Sequence, residues 1–375
     1  MSRTKRGNNE GSIVKRADGR WMARVTLSDG TRKTLYAKTR REAARRLTAA
    51  LRDQDNGLPA VSDRQTLAQF LNSWLASTRY KLRPRTWTRR EEYVRLHVIP
   101  VLGSLPLARL TAQLIEALYA QKIEEGLSTT TVHHLHAVLH RALESALRLG
   151  LVQRNVAHLV DPPRIAHHEM ITLSPEQARQ FLAAAEGERL EALYVLALST
   201  GMRAGELLAL RWRDVNLDSA SVHVRATLQQ TSAGYNFAEP KTARSRRQIA
   251  LSSTAVDVLR RHLEQQVAER KRMGSAWEDL GLVFPNTVGR PLDNVNLLRY
   301  WFHPLLEHAG LPRMRFHDLR HTAATLLLGR GVNPKIVSEM LGHASVAITL
   351  DIYSHVMPHM QQQAAQAMDD TLRGE

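Results

Sequence analysis

The sequence predicts a mainly α-helical protein with small β elements that is divided into three domains. Apolar residues recur at helical spacing through most of the chain, whereas two short regions alternate as β-strands do. Two linkers, "NGLPAVSDRQ" and "RNVAHLVDPPRIAHHEM", interrupt these patterns. We therefore expect a small three-stranded sheet plus a helix at residues 1–60, an all-helical domain at 64–155, and a mixed, mainly helical domain at 165–375.

The first predicted domain begins with short alternating runs, which the turn signals Asp18-Gly19 and Asp29-Gly30 separate. This pattern predicts three antiparallel strands. The next stretch, "TRREAARRLTAALRDQ", predicts a helix because its apolar residues repeat at helical spacing, and Gly57 provides a stop. A basic β-ribbon of this kind can enter a DNA groove.

The second predicted domain contains only helical patterns. Its helical stretches are "TLAQFLNSWLAST", "PRTWTRREEYVRLHVIPVLG", "TAQLIEALYAQKIEEG" and "STTTVHHLHAVLHRALESALRLG". Basic residues surround Trp87 at the start of one helix, an arrangement that suits contacts to a DNA backbone. The alternative is that Trp87 packs and the arginines are only solvated.

The third predicted domain opens with a capping box, in which Ser174 is the N-cap, Pro175 the first helical residue and Gln177 the residue three positions on. Helices follow, and residues 214–252 then show the pattern of β-strands about a Gly-containing turn. Helical patterns return and continue to the C-terminus.

Composition excludes several classes of protein. No run approaches the roughly 18 apolar residues of a membrane span, and the basic N-terminus lacks the apolar stretch of a signal peptide. We therefore expect the protein to stay in the cytoplasm. The sequence contains no cysteine, which removes disulfides, thiolate metal sites and cysteine nucleophiles.

The chain carries 52 Lys and Arg against 36 Asp and Glu, a formal net charge of +16. Residues 1–52 hold 15 basic and 4 acidic residues, whereas residues 164–375 hold 24 and 22. Nucleic acid is the favoured partner, because contacts to phosphates release counterions; a solvated basic surface is the alternative. The candidate DNA-binding residues are Arg16, Arg20, Arg24, Arg32, Lys33, Lys81, Arg83, Arg85, Arg89, Arg90 and Arg244.

Four stretches of the third domain carry charged or titratable residues where a plain core would not hold them. Taken singly, they have simpler explanations: a helix-surface ion pair, a solvent-exposed lysine, a core histidine or a packing tyrosine. The candidate residues are Arg203 and Glu206 in "STGMRAGELLALRW", Lys241 in "EPKTARSRRQIALS", His317 and Arg320 in "HDLRHT", and His343 and Tyr353 in "LGHASVAITLDIYSH".

A zinc site is one interpretation of the third stretch, because His317 and His321 are spaced i and i+4. The stretch "HDLRH" lacks the glutamate of the H-E-x-x-H motif, and the fixed charge of Arg320 would oppose a cation. We therefore expect no metal there and interpret His321, like His355, as structural.

Together these residue types suit attack on a phosphodiester. Two arginines can hold both non-bridging oxygens and neutralise the charge of the transition state. A phenol can attack phosphorus and form a covalent phosphotyrosine, while a lysine protonates the departing 5′-oxygen and histidines assist proton transfer. The sequence has neither Mg²⁺-binding carboxylate clusters nor a Walker loop, so we expect no cofactor.

The four motifs, in this order from Arg203 to Tyr353, resemble those of the tyrosine recombinase family, and specifically of phage-type integrases. The resemblance implies a site-specific DNA recombinase that acts through a 3′-phosphotyrosyl intermediate and a Holliday junction. It implies an arm-type DNA-binding domain at 1–60, a SAM-like core-binding domain at 64–155 and a catalytic domain at 165–375. The catalytic residues that it implies are Arg203, Lys241, His317, Arg320, His343 and the nucleophile Tyr353, with Glu206 in support.

The resemblance also implies partners. These are double-stranded DNA with specific attachment sites, on which a tetramer assembles, and a host DNA-bending protein and an excisionase as accessory proteins. The protein would be associated with the nucleoid when bound to DNA. The segment "VMPHMQQQAAQAMDD" fits a final helix that docks on a neighbouring protomer or packs on its own domain.

Three alternatives remain open at this point. A chromosome-dimer resolvase of the same family shares the chemistry but would normally lack the module at residues 11–57. A type IB topoisomerase-like enzyme, which relaxes DNA, uses a similar residue set. A non-catalytic DNA-binding regulator would explain the basic N-terminal part but would leave the Arg, Lys, His and Tyr set unexplained.

Overall fold

A computed structural model of the chain describes residues 11–26, 32–55, 65–165, 170–231, 234–239, 246–353 and 360–373. Within these ranges the chain is mainly helical with small antiparallel sheets, which confirms the predicted fold class. It divides into two compact units, Met1–His167 and His168–Glu375. No helix in the described ranges is long and apolar enough to cross a membrane.

The first unit opens with the predicted antiparallel sheet and helix. Side chains alternate between the two faces of a strand, so Ala23 and Val25 share one face and pack with Ala43 and Leu47 of the helix. The predicted turn at Asp18-Gly19 joins the first two strands; Asp29-Gly30 lies outside the described residues. The bounds are β1 Ser12–Lys15, β2 Trp21–Thr26, β3 Arg32–Ala37 and α1 Arg40–Asp55.

All four helical stretches predicted for the second region are helical in the structure. Their amphipathic faces bury a separate core, in which Leu71, Leu118 and Leu139 are almost fully buried. One π-helical turn, Val94–Val98, lies between the third and fourth helices. The bounds are α2 Leu67–Thr78, α3 Pro84–Tyr93, α4 Ile99–Leu102, α5 Ala112–Glu124 and α6 Thr129–Arg148.

The first helix of the second unit begins at the predicted capping box, which the structure confirms: the Gln177 backbone N–H donates to Ser174 Oγ at 3.2 Å. The bounds are α7 Pro175–Ala184, α8 Glu191–Thr200, α9 Ala204–Leu208, β4 Val215–Asn216, β5 Ser221–Val224, β6 Thr227–Thr231, β7 Gly234–Ala238, β8 Arg247–Ala250 and α10 Ser253–Met273. Strands β4, β5 and β8 form one small sheet, and β6 and β7 form a hairpin.

Helices return after α10, as predicted. A helical segment beyond it contains a π-helical turn, Leu297–Phe302, and leads to the helices that carry the later motifs. The bounds are α11 Asn294–Asn296, α12 His303–His308, α13 Phe316–Gly329, α14 Pro334–Leu341, α15 Val346–Tyr353 and α16 Met360–Arg373.

Helix α8 lies at the centre of the second unit. Nearly all its residues are buried, as expected of a helix that is apolar on every side, and it packs against α10 and α13. Gly201 ends it in the left-handed conformation, with φ +60°. The turn after Gly201 therefore places the first motif beside α13, which carries the third.

Candidate active site

Arg203 and Glu206 form the first part of the site at the start of α9. Arg203 is the N-cap; its backbone N–H donates to Glu206 Oε2 at 3.0 Å and its Nη1 donates to Oε1 at 2.8 Å. Glu206 is only 4% exposed, whereas the Arg203 side chain is 38% exposed. The buried carboxylate therefore fixes the guanidinium while leaving part of it open to a ligand.

Arg320 is buried within α13, with 3% exposure. Its Nη1 donates to the Gly201 carbonyl at 2.8 Å, whereas its buried Nη2 has no hydrogen-bond partner among the described residues. Burial and the charge of Arg203 lower the pKa of Arg320 to about 9, which leaves it charged at neutral pH. A buried cationic donor with an unused N–H is suited to an anionic ligand.

Tyr353 is the last residue of α15 and is 1% exposed. It packs with Leu328, Val337 and Leu341 in a small apolar cluster. Burial raises the pKa of Tyr353 to about 12, and the charge of nearby Arg320 opposes this rise. The phenol is therefore neutral at physiological pH, and it must lose its proton to act as a nucleophile.

His321 contacts this phenol, a relationship that the sequence analysis missed. The distance from His321 Nδ1 to the Tyr353 hydroxyl oxygen is 2.6 Å. Burial lowers the pKa of His321, so its imidazole is neutral at neutral pH and one ring nitrogen can accept a proton. The only signal in the sequence was its place directly after Arg320.

His343 and His317 complete the described part of the site. Gly342 ends α14 with φ +69°, and the following His343 places Nδ1 2.8 Å from Thr349 Oγ1. Burial, Arg320 and Arg203 lower the pKa of His343 to about 4. The pKa of His317 is also lowered to about 4, by burial and then by the charges of His321, Arg320 and Arg203. Both imidazoles are neutral at pH 7 and can donate one hydrogen bond.

The structure thus brings Arg203, His317, Arg320, His343 and Tyr353 into one region. The charge of Arg320 contributes to the pKa shifts of His317, His343 and Tyr353. The general-acid candidate Lys241 and the DNA-binding candidate Arg244 lie outside the described residues, as does His355. Within the described part of the chain, no group of three or more His, Cys, Asp or Glu side chains could hold a metal ion.

The N-terminal candidates for DNA binding lie on or beside the sheet. Arg24 is exposed on β2, paired with Ser12 and Thr34, and Arg32 is exposed at the start of β3. The guanidinium groups of Arg16 and Arg20 lie over the Tyr36 ring, at 5.3 and 5.8 Å from its centroid. Asp18 pairs with both of these arginines, and the hydrogen bonds from Arg20 hold the pKa of its carboxyl below its ordinary value. Of Lys33 only the backbone, in β3, is described.

The helical candidates divide into two groups. Lys81, Arg83 and Arg85 are exposed around the start of α3. Arg89 and Arg90 instead contact aromatic rings of their own domain: Arg89 Nε donates to the Tyr93 hydroxyl at 3.2 Å, and the Arg90 guanidinium lies 5.9 Å from the Trp74 ring centroid.

Trp87 packs against the helical core, as the alternative interpretation held. The indole ring is partly buried, and its Nε1 donates to the Leu75 carbonyl at 2.8 Å. Arg79 lies over its ring, 5.4 Å from the centroid. Lys81, Arg83 and Arg85 remain the solvent-exposed candidates near the start of α3 for contacts to a phosphate backbone.

Comparison with known proteins places the chain in a family. The model of the phage integrase family matches residues 172–360, and that of the phage integrase N-terminal SAM-like domain matches residues 66–123. The chain is 34% identical to an integrase of Streptomyces ambofaciens, over 93% of each chain. It is 30% identical to a tyrosine recombinase XerC-like protein of Caldanaerobacter subterraneus subsp. tengcongensis, over 94% of this chain and 97% of the relative.

Solved structures share the fold. The Tn1549 transposon integrase, solved in complex with transposon right end DNA, matches with a TM-score of 0.69 and 22% identity, over 82% of this chain and 99% of that one. A lambda integrase tetramer bound to a Holliday junction matches with a TM-score of 0.57 and 18% identity, over 93% and 96%. With these matches and the four motifs in order, the chain belongs to the phage integrase family of tyrosine recombinases.

Proposed function

We propose that this recombinase integrates a phage or another mobile element by cleaving and rejoining DNA at specific sites through Tyr353. One observation carries the assignment of the site. Two arginines, Arg203 and Arg320, converge near a buried tyrosine, and Arg320 keeps an unused donor. This arrangement supports binding of a phosphodiester, because the two guanidinium groups can hold its non-bridging oxygens.

The chemistry is a pair of transesterifications. The Tyr353 oxygen attacks phosphorus, a Tyr O–P bond forms and the P–O5′ bond breaks, so the phosphodiester energy is kept in the covalent intermediate. In the second step a 5′-hydroxyl attacks the phosphotyrosine and releases the phenol. Arg203 and Arg320 stabilise the negative charge that develops in both steps, and preorganised donors of this kind are commonly worth about 3 kcal/mol each.

Two protons must move in the first step. The phenol has a pKa of about 12, so it needs an acceptor for its proton; His321, His317 and His343 are neutral at pH 7 and are candidates. The departing O5′ needs a proton donor. We assign this role to Lys241 on the family resemblance alone. Glu206 acts through Arg203 by holding its guanidinium.

The whole chain would work as an assembly on DNA. We assign an arm-type DNA-binding domain to residues 1–60, a core-binding domain to 64–155 and catalysis to 165–375. Four protomers would exchange strands through a Holliday junction, and the tetramer form of the structurally similar lambda integrase supports this assignment. A host DNA-bending protein and an excisionase would set direction, and the protein would act in the cytoplasm on nucleoid DNA.

A nicked suicide substrate tests the proposal. Cleavage beside a nick releases a short fragment, so the enzyme stays covalently attached to DNA. We expect the attached peptide to contain Tyr353, and Tyr353→Phe to lose attachment while retaining DNA affinity. Tyr300→Phe, an exposed tyrosine of the same unit, is the control. Covalent attachment by Tyr353→Phe, or relaxation of site-free plasmids without recombinants, would refute the assignment.

A further inference from the structure

Arg247 is a buried arginine behind the site, to which the recombination mechanism assigns no role. It lies at the start of β8 with a side chain that is 7% exposed. Its Nη2 donates to Glu206 Oε2 at 2.9 Å, its Nη1 donates to Glu206 Oε1 at 3.3 Å, and its Nε donates to the Met340 carbonyl at 2.5 Å. The guanidinium thus contacts a side chain and a backbone group from two other parts of the unit.

The Glu206 carboxylate is shared between two arginines of different exposure. Arg203 approaches Oε1 from the accessible side, and Arg247 approaches both oxygens from the buried side. Glu206 is only 4% exposed, so removing either arginine leaves its buried negative charge paired with a single arginine, which is costly. Arg247 therefore helps to keep Glu206 ionised and oriented toward Arg203.

Arg247 also contacts the turn that presents His343. Gly342, which is left-handed, packs closely against Arg247: a Cβ on Gly342 would lie 3.0 Å from Arg247 Nη1. The carbonyl of the same glycine accepts a hydrogen bond from Arg203 Nη2 at 3.4 Å. Arg247, Glu206, Arg203 and the turn at Gly342 consequently form one closed network.

We propose that Arg247 is a positioning residue of the recombination reaction, which clamps Glu206 and the end of α14 so that Arg203 and His343 are held in register. The inference rests on the proposed function, since it concerns the geometry of that site. This role does not require Arg247 to contact DNA, and the Arg247 side chain is buried behind Glu206. A misplacement of about 1 Å in such a site can cost about 10²-fold in rate.

The test compares Arg247→Gln and Arg247→Lys in the full-length protein. We measure the single-turnover rate of covalent attachment to a nicked suicide DNA, the affinity for the same DNA, and the melting temperature. We expect Arg247→Gln to slow attachment by about 10²-fold and to change affinity by less than about 3-fold. Arg247→Lys should recover part of the rate, because its charge can still compensate Glu206.

Arg189 supplies a matched control. It is a mostly buried arginine of the same unit that pairs with Glu269 at 2.8 Å and donates to the Pro285 carbonyl at 3.1 Å. Arg189→Gln should lower the melting temperature by a comparable amount but leave the attachment rate of the remaining folded protein within about 3-fold. Equal slowing by the Arg189 and Arg247 variants would overturn the proposal, since general destabilisation would then explain both.

A pH profile gives a second readout. Burial raises the pKa of Glu206, but hydrogen bonds and charge from Arg247 and Arg203 outweigh it and hold the pKa below its ordinary value. The charged groups facing Glu206 are Arg203 at the N-cap of α9, Arg247 on β8 and Arg320 on α13. Without Arg247 the pKa of Glu206 rises. As the pH is lowered, the variant should therefore lose attachment at a higher pH than the wild type does.

The outcomes separate this inference from the proposed function. Wild-type protein that never attaches to a suicide DNA would sink the proposed function itself. The role of Arg247 alone would be overturned by a different result: the wild type attaches to DNA, and both Arg247 variants keep its rate and lose attachment at the same low pH. If Arg247→Gln fails to fold, Arg247→Met removes the charge from a side chain of similar length, and a wild-type rate and pH profile in that variant would have the same consequence.

Discussion

The Nδ1 atom of His321 lies 2.6 Å from the hydroxyl oxygen of Tyr353, which comes 32 residues later in the chain. The contact joins α13, in which Arg320 directly precedes His321, to the end of α15. The arginine that we propose binds the phosphate and the histidine that contacts the proposed nucleophile are therefore consecutive residues of one helix. Any movement of α15 that exposes the phenol must change its distance from His321.

The first prediction concerns that contact. We expect His321→Ala to slow covalent attachment to suicide DNA by about 10-fold or more, because the phenol loses a neutral acceptor for its proton. The buried hydroxyl would also be left unsatisfied, at a cost of about 1–3 kcal/mol in the free energy of unfolding. His308→Ala, which changes an exposed histidine of the same unit, should alter neither quantity. A wild-type attachment rate for His321→Ala would contradict this role.

The second prediction concerns the arginines. Replacing Arg203 or Arg320 with Ala should each slow attachment by about 10²-fold or more, the effect of losing one donor to a developing oxyanion. Arg320→Lys should remain slow, because an ammonium cannot bond the Gly201 carbonyl and a phosphate in the planar geometry of a guanidinium. Arg330→Ala, at the exposed end of α13, is the control for charge. Fast attachment by Arg320→Ala would argue against the site.

The third prediction isolates packing at the turn after α8. Gly201 and Gly187 both have positive φ, +60° and +76°, so an alanine is strained by about 1–2 kcal/mol at either position. A Cβ on Gly201 would overlap Leu341, which is fully buried, whereas one on Gly187 would meet nothing within 4 Å. Gly201→Ala should therefore reduce the free energy of unfolding by at least about 1 kcal/mol more than Gly187→Ala does. Equal losses in urea unfolding would show that the site tolerates the overlap.

Much of this architecture could be predicted from local sequence. The capping box at Ser174 depends on neighbours within a turn, and the structure confirms it. The left-handed glycines 201 and 342, which end α8 and α14, are equally local features. The partners of His321 and Arg247 depend on residues 32 and 41 positions away. Arg246 and Arg247 look equivalent in the sequence, and only the pairing of β8 with β5 and the packing of α14 turn one of them inward.

The fourth prediction is a pH dependence of stability in the free protein. The pKa of His343 is about 4 in the folded state against an ordinary value of 6.5, so between these values the unfolded chain binds more protons than the folded one. Stability should therefore rise with pH across this window and fall as the pH drops from about 6.5 to about 4. His343→Gln should show a shallower fall in melting temperature over the same window. An identical slope in the two proteins would indicate that His343 titrates normally.

The fifth prediction concerns the exposed face of the N-terminal sheet. If this face binds arm-type DNA, Arg24→Ala should weaken that binding, and each lost phosphate contact should reduce the slope of log K against log salt by about 1. Arg45→Ala, on α1, is the matched control, because it removes the same exposed charge from the helix rather than the sheet. Deleting residues 1–60 should abolish arm-site binding yet spare attachment to a core-site suicide DNA, since the catalytic motifs lie beyond residue 200. Loss of core cleavage after this deletion, or equal effects of Arg24→Ala and Arg45→Ala, would show that the sheet does not act as a separate DNA-binding surface.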